Sequence, residues 1–225
     1  MNIGVVCAME REIDLIRETF CGAVEHKAGN MHITQLDAFS HSLFLIISGI
    51  GKTCAAMAAQ ILITAFGCDI IINTGLSGGC DDRLVPGDAV LVKKAFYHDF
   101  SYLSLAGTEI GFEDGFSSDQ NLIKLAEKVL CTLGFHYITG IAASGDIFVS
   151  DKNIKQDIIK RTKCSCVDME AAAVAHVASA NSLPFVILKI VSDSADNKAA
   201  EDFEASIELY SSRCVLFVRE LVKVL

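Results

Sequence analysis

Apolar and polar positions along this chain alternate between a period of two and a period near 3.6. Residues 2–8 are a short apolar run ending at Ala8-Met9, and an acidic amphipathic segment follows over 10–20, with Ile13, Ile16 and Phe20 at helical spacing. Two strand-like runs come next, Met31–Ala38 and 41–48, with 37–42 as the turn between them. Gly49-Ile-Gly-Lys-Thr53 opens an uncharged helix over 53–66. Residues 68–73 read as a buried strand that breaks into the loop Thr74-Gly-Leu-Ser-Gly-Gly79. After the Pro86-Gly87 turn, 88–99 reads as a long strand, and 100–117, with no clear period and three glycines, as a loop. Residues 121–133 are helical, Tyr137–Ser144 is a strand, and a helix near 153–161 precedes a short strand at 164–168. An alanine-rich helix covers 170–180 and a long amphipathic helix closes the chain over 202–224. Between them lies Pro184-Phe-Val-Ile-Leu-Lys-Ile-Val-Ser-Asp193, a mostly apolar run typical of a strand buried on both faces.

Strands alternating with helices, without linker or repeat, predict one α/β domain over 1–225, three-layered, with helices on both faces of a central sheet. A chain of 225 residues suits one large core. Net charge is −9 and the six arginines are scattered, so no basic patch marks nucleic acid or an anionic membrane as a partner. The charge-free segment 53–68 is short for a membrane span and carries Thr53, Gln60 and Thr64, so a buried helix or a subunit interface explains it better. Met1 to Glu10 lacks a positive leader region, which gives a cytoplasmic protein as the default. The nine cysteines include no Cys-x-x-Cys pair, and several sit in apolar runs, as expected of buried thiols in a reducing compartment rather than zinc ligands or disulfides.

Four stretches carry candidate chemistry. Gly49-Ile-Gly-Lys52-Thr53 is not a P-loop, because the first glycine of that motif would fall at Ile46. It is not a dinucleotide fingerprint either, because Cys54 stands where the third glycine belongs. The glycines at 75, 78 and 79 suit a close backbone approach to a small molecule, or a plain turn. Val167-Asp-Met-Glu170 places two acids beside an apolar segment, and Glu170 at the expected start of a helix is either a dipole partner or a site carboxylate. Asp193 ends the buried strand where open α/β sheets bind ligands, and burial there raises a carboxyl pKa; a helix cap is the plainer role for it.

Seven pieces then fall in one order. They are Gly4-Val-Val-Cys-Ala-Met-Glu-x-Glu12, Ser48-Gly-Ile-Gly-Lys52, Asn73-Thr-Gly75 with Gly78-Gly79, Tyr97-His-Asp99, Ser144-Gly-Asp-x-Phe148, Val167-Asp-Met-Glu170 and Ser192-Asp193. In this the chain resembles the 5′-methylthioadenosine/S-adenosylhomocysteine nucleosidases of the purine nucleoside phosphorylase-like superfamily, over nearly its whole length. The resemblance implies a three-layer αβα sandwich around a mixed, twisted sheet. It also implies a homodimer, and hydrolysis of the adenine–ribose bond of an adenine nucleoside without cofactor or metal. By position, Asp193 resembles the acid that protonates adenine N7, with Ser192 orienting it, and Glu12 the base that activates water. Phe148 resembles the residue stacked on the purine and Val149 the one whose backbone reads its edge. Met169 and Glu170 resemble the ribose-binding pair, and Ala8, Met9, Ile50 and Gly78 the lining of the ribose and water site. Three positions depart from the family: Lys189 stands where an arginine is usual, Leu76 where a small or polar residue is usual, and 100–116 shares little with it.

The implied reaction needs these residue types. Adenine leaves poorly as an anion, so a proton must reach it as the bond stretches, from an acid whose pKa is raised. Water attacks from the other face, under a second acid. Three other readings stay open: a nucleosidase for another 5′-substituted adenosine such as 6-amino-6-deoxyfutalosine, a nucleoside phosphorylase, and a silent adenosine-binding paralogue. Phosphate needs arginines or a dense set of N–H donors, and Arg11 is the only guanidinium near the first motif.

Overall fold

The structure is a computed structural model, described over residues 1–100 and 115–225 apart from the side chains of residues 11–14, 206 and 208. The first strand β1 (Asn2–Cys7) leads into α1 (Glu10–Thr19), and three strands follow: β2 (Cys21–Ala28), β3 (Met31–Ala38) and β4 (His41–Ile47). Then come α2 (Lys52–Phe66), β5 (Ile70–Gly79), β6 (Ala89–Tyr97), the two-residue β7 (Phe116–Ser117), α3 (Gln120–Leu133) and β8 (Tyr137–Ser144). The chain closes with α4 (Lys152–Thr162), β9 (Cys166–Asp168), α5 (Ala171–Ala180), β10 (Phe185–Asp193) and α6 (Ala199–Val224).

All ten strands join one mixed sheet in the order β10-β6-β8-β9-β5-β1-β4-β3-β2, with β7 beside β6. Because β10 also pairs with β5, the strands β5, β9, β8, β6 and β10 close into a ring, and β1, β4, β3 and β2 run out from it as an open sheet. Buried side chains of α1, α3 and α6 pack with one face in a core that includes Ile16, Leu130 and Phe217. On the other face Ala55, Ala58, Ala59 and Leu62 of α2 pack with the alanines of α5. Small side chains let these two helices approach closely, which accounts for much of the uncharged stretch; Met57 of α2 stays half-exposed. The layers and the mixed sheet follow the sequence pattern. The ring does not, since period alone carries no pairing partner.

Four elements differ from the expectation. Residues 74–79 are not a loop but the second half of β5. They are paired in parallel with β10 from Leu188↔Thr74 to Asp193↔Gly78, and with β9 at Gly78↔Val167 and Gly79↔Cys166. Glycine is required by crowding: a Cβ at Gly78 would lie 2.9 Å from the Ala195 Cβ and 3.2 Å from the Asp193 carboxylate. Strand β2 has no clear apolar period because it is the exposed outer edge of the sheet, carrying Glu25, His26 and Lys27 as edge strands commonly do. Within the expected loop 100–117, Phe116 and Ser117 pair with Ala95 and Lys94; its residues 101–114 lie outside the described residues. Helix α6 starts at Ala199, three residues early, because the Asp196 carboxylate accepts from the Lys198 N–H and its carbonyl from the Ala199 N–H. Among the described residues no helix is long and apolar enough to cross a membrane.

Candidate active site

One cavity opens at the C-terminal ends of the parallel strands. Its walls come from Ala8 and Met9 after β1, Ile50 before α2, Gly75 to Gly78 of β5, and Ile147, Phe148 and Val149 after β8. Val167 to Glu170, Lys189, Ser192 and Asp193 of β10, and Phe203 of α6 complete it. The resemblance pointed to eleven residues, and ten of them line this cavity: Ala8, Met9, Ile50, Gly78, Phe148, Val149, Met169, Glu170, Ser192 and Asp193. The eleventh, Glu12, lies on α1, which starts directly after Met9; its side chain lies outside the described residues.

Asp193 owes its position to an irregularity. Register slips between Val191 and Asp193, so Val191 faces Ser77 and Asp193 faces Gly78. In a regular strand Ser192 and Asp193 would point to opposite faces; the extra residue lets both side chains reach the cavity. Asp193 is buried, and burial pushes its carboxyl above the ordinary range. A hydrogen bond from Ser192 Oγ to Oδ2 (2.6 Å) and one from the Ala195 N–H to Oδ1 (2.7 Å) oppose that rise. The Asp202 and Asp196 charges add to it. Ser192 Oγ also lies 3.1 Å from the Ser77 carbonyl oxygen. A hydroxyl has one proton, so Ser192 bonds to Ser77 while Asp193 is protonated, and can turn to Oδ2 as the carboxylate forms. A carboxyl whose pKa burial raises, with a donor beside it for its ionised form, is suited to giving a proton away.

The opposite wall is a charge cluster. Lys189 is 1% exposed, and its Nζ lies 2.7 Å from Asp168 Oδ2. Asp168 also accepts from the Ala171 N–H (2.8 Å) and from Ser144 Oγ, which itself accepts from the Ala172 N–H (2.9 Å). Asp168 and Ser144 thus satisfy the free N–H groups of α5, the task a cap performs. Glu170 occupies the N-cap position but makes no capping bond. Its carboxylate accepts instead from the Gly51 N–H (2.9 Å), across the cavity mouth. Burial raises the Glu170 pKa, against the pull of Lys189 and the Gly51 N–H, while the Asp168 charge adds to the rise. Among the described residues the buried Thr74 hydroxyl and the Asn73 side-chain carbonyl have no hydrogen-bond partner.

At the mouth the surface is apolar. Phe148 and Ile147 are half-exposed, Ile50 is 64% exposed, and Phe148 meets Phe203 edge-on at 5.8 Å between ring centres. Phe203 and Ile147 escaped the sequence reading. Phe203 lies inside the expected closing helix 202–224, and neither it nor Ile147 differs in pattern from an ordinary core residue. Among the described residues no three His, Cys, Asp or Glu side chains are grouped to hold a metal ion.

Comparison with known proteins follows the same lines. The family model described as "Phosphorylase superfamily" matches residues 2–223. The chain is 35% identical to the 5′-methylthioadenosine/S-adenosylhomocysteine nucleosidase of Actinobacillus succinogenes, over 91% of this chain and 90% of that protein. The Neisseria meningitidis nucleosidase of the same description, solved with methylthio-immucillin-A, superposes with a TM-score of 0.95 at 33% identity, covering 100% of this chain and 99% of that one. A futalosine hydrolase of Helicobacter pylori also reaches a TM-score of 0.95, at 27% identity over 100% and 98% of the two chains.

The electrostatics of Asp193 give a stability test. A carboxyl raised by folding favours the folded state at low pH and costs stability as pH rises through its folded value. Asp193→Asn keeps the Ala195 bond, and its amide can donate to Ser192, which then donates to Ser77. The variant is therefore expected to melt at or above the wild-type temperature at pH 8, with the gap closing as pH falls toward the ordinary carboxylate value of 3.8. Thermal melts across that range check it; a variant less stable than wild type at pH 8 contradicts it.

Proposed function

The chain belongs to the phosphorylase superfamily and, within it, to the 5′-methylthioadenosine/S-adenosylhomocysteine nucleosidases, and we propose that it hydrolyses the adenine–ribose bond of those two nucleosides in the cavity ending at Asp193. The observation that carries this reading is the buried Asp193, its carboxyl raised by burial, in a cavity that Phe148, Val149 and Glu170 also line. The apolar lining takes a flat base; the carboxylates take the sugar.

As the glycosidic bond breaks, its electron pair passes to adenine and the Asp193 proton passes to N7. Ser192 then turns its hydroxyl to the new carboxylate. The sugar acquires oxocarbenium character, which the Glu170 and Asp168 charges stabilise. Glu170 is poised for the ribose hydroxyls because the Gly51 N–H holds its carboxylate in the cavity lining. Water adds to the anomeric carbon and gives its second proton to Glu12, whose role rests on the family pattern. Lys189 does not take up the role of a forked arginine: its ammonium is engaged with Asp168 and sets the charge behind Glu170.

The lining also favours water over phosphate as the nucleophile. Three carboxylates, Asp168, Glu170 and Asp193, face the cavity against one ammonium, and no arginine lines it among the described residues. A phosphate dianion entering there would shed hydration without a receiving cation. The same holds for a 5′-phosphate on the substrate, whereas a thioether suits the apolar mouth. Most of the 100–116 segment, which departs from the family pattern, lies outside the described residues. We place the reaction in the cytoplasm. We also propose a homodimer, supported by the exposed Ile50 and Met57 beside α2.

Four measurements follow. Adenine release in phosphate-free buffer is expected from methylthioadenosine, with S-adenosylhomocysteine and 6-amino-6-deoxyfutalosine slower and AMP nearly inert; a requirement for phosphate, or a preference for AMP, overturns the reading. Asp193→Asn should lose about two to four decades of rate while still binding nucleoside. A substrate with a better leaving group should rescue Asp193→Asn but not Glu12→Gln, and equal rescue of both would merge the two roles assigned here. Sedimentation at assay concentration should show a dimer, and a stable active monomer refutes that assembly.

A further inference from the structure

Outside the cavity, one charged cluster has no part in the chemistry above. Lys52 Nζ lies 2.7 Å from both carboxylate oxygens of Asp99 and 3.5 Å from the Asp146 carboxylate. The backbone closes the same triangle: the Lys52 N–H donates to Asp146 Oδ1 (2.9 Å) and the Asp146 N–H to Asp99 Oδ2 (2.9 Å). The Lys52 ammonium also sits over the rings of Phe100 (4.8 Å) and Tyr97 (5.6 Å). Three segments distant in sequence thus meet at one point: the start of α2, the end of β6 and the turn after β8.

What flanks this triangle gives it meaning. Immediately before Lys52 stand Ile50, which lines the cavity, and Gly51, whose N–H holds Glu170. Immediately after Asp146 stand Ile147, Phe148 and Val149, the base-side wall. Neither stretch is helix or strand, so no ladder of backbone bonds fixes the gap between them. Lys52, Asp99 and Asp146 do not line the cavity themselves. Gly51 sits at φ +100, where an added Cβ would lie 3.3 Å from Asp146 Oδ1, so the two stretches already touch. The Asp146 carboxylate also accepts a free N–H at the positive end of α2, where Gly51 supplies no side-chain cap.

We propose that Lys52, Asp99 and Asp146 are positioning residues that lock the sugar-side and base-side walls of the cavity at a fixed separation. They touch no reacting atom; they act through Gly51 and Glu170 on one side and through Phe148 and Val149 on the other. This rests on the nucleosidase reading of the cavity, and it makes a distinct kinetic statement. Without the lock every contacting group is still present, but the walls stand correctly for only part of the time. Apparent affinity falls by that fraction, while saturating substrate selects the competent arrangement and restores the rate.

The test compares wild type with Lys52→Met on methylthioadenosine. Wild type should release adenine; if it does not, the reading of the cavity fails before the lock is at issue. In the variant KM is expected to rise about tenfold with kcat within threefold of wild type, and Lys52→Arg should bring KM back to within threefold. Mere damage to the fold reads differently, since fewer folded molecules lower kcat and leave KM unchanged. Asp99→Asn serves as a second variant, expected to raise KM in the same direction, should Lys52→Met fail to fold. An active wild type whose folded variants keep KM within twofold, or lose only kcat, overturns the proposal.

Discussion

The parallel pairing of β10 with β5 is the constraint on which the site depends. It runs from Phe185↔Ile71 to Asp193↔Gly78, in the middle of the molecule, and its last step is displaced by one residue. That displacement turns two consecutive polar side chains to the same side, and it works only because Gly78 leaves room for the Asp193 carboxylate and Ala195. Any side chain at Gly78 pushes on the Asp193 carboxyl. Burial is what raises that carboxyl, so geometry and acidity have the same cause: an acid brought to the end of an apolar strand.

Buried charge elsewhere in the site is handled by pairing. Lys189 and Asp168 are both almost fully buried, and an isolated charge there costs several kcal/mol. Asp168 spreads its two oxygens over Lys189, Ser144 and the first N–H of α5, so one side chain serves as counter-ion and helix cap. This arrangement leaves Glu170 free of capping duty although it stands in the cap position. The ring of strands brings these groups together, since β9 carrying Asp168 and β10 carrying Lys189 both pair with β5.

Much of this was legible in the sequence, and what was not has identifiable reasons. Apolar runs such as 184–193 and the helical period of 121–133 stand in the chain itself, so the strands, helices and their layering follow from them. The motif order brought ten cavity residues into view before any coordinate did. Glycines at 75, 78 and 79 read as a break because their usual meaning is a turn; here all three are strand, and Gly78 and Gly79 sit between β9 and β10, where an added Cβ would crowd Ala195 and Val191. Strand β2 is exposed, so its side chains report water rather than pairing. Lys52, Asp99 and Asp146 each stand in one of the seven motifs, but at separations of 47 along the chain nothing local says that they meet.

The closed ring also sets an order of events in biosynthesis. Strand β10 is the last of the ten to be made, yet it sits between β5 and β6 and joins them. The ring can therefore close only once residue 193 has been made, because β10 supplies the backbone partner of both β5 and β6. Unpaired strand edges expose N–H and C=O groups that can pair with other chains. The acid assigned to turnover is carried by the strand that closes the ring, so a chain truncated before β10 lacks both the closure and the acid.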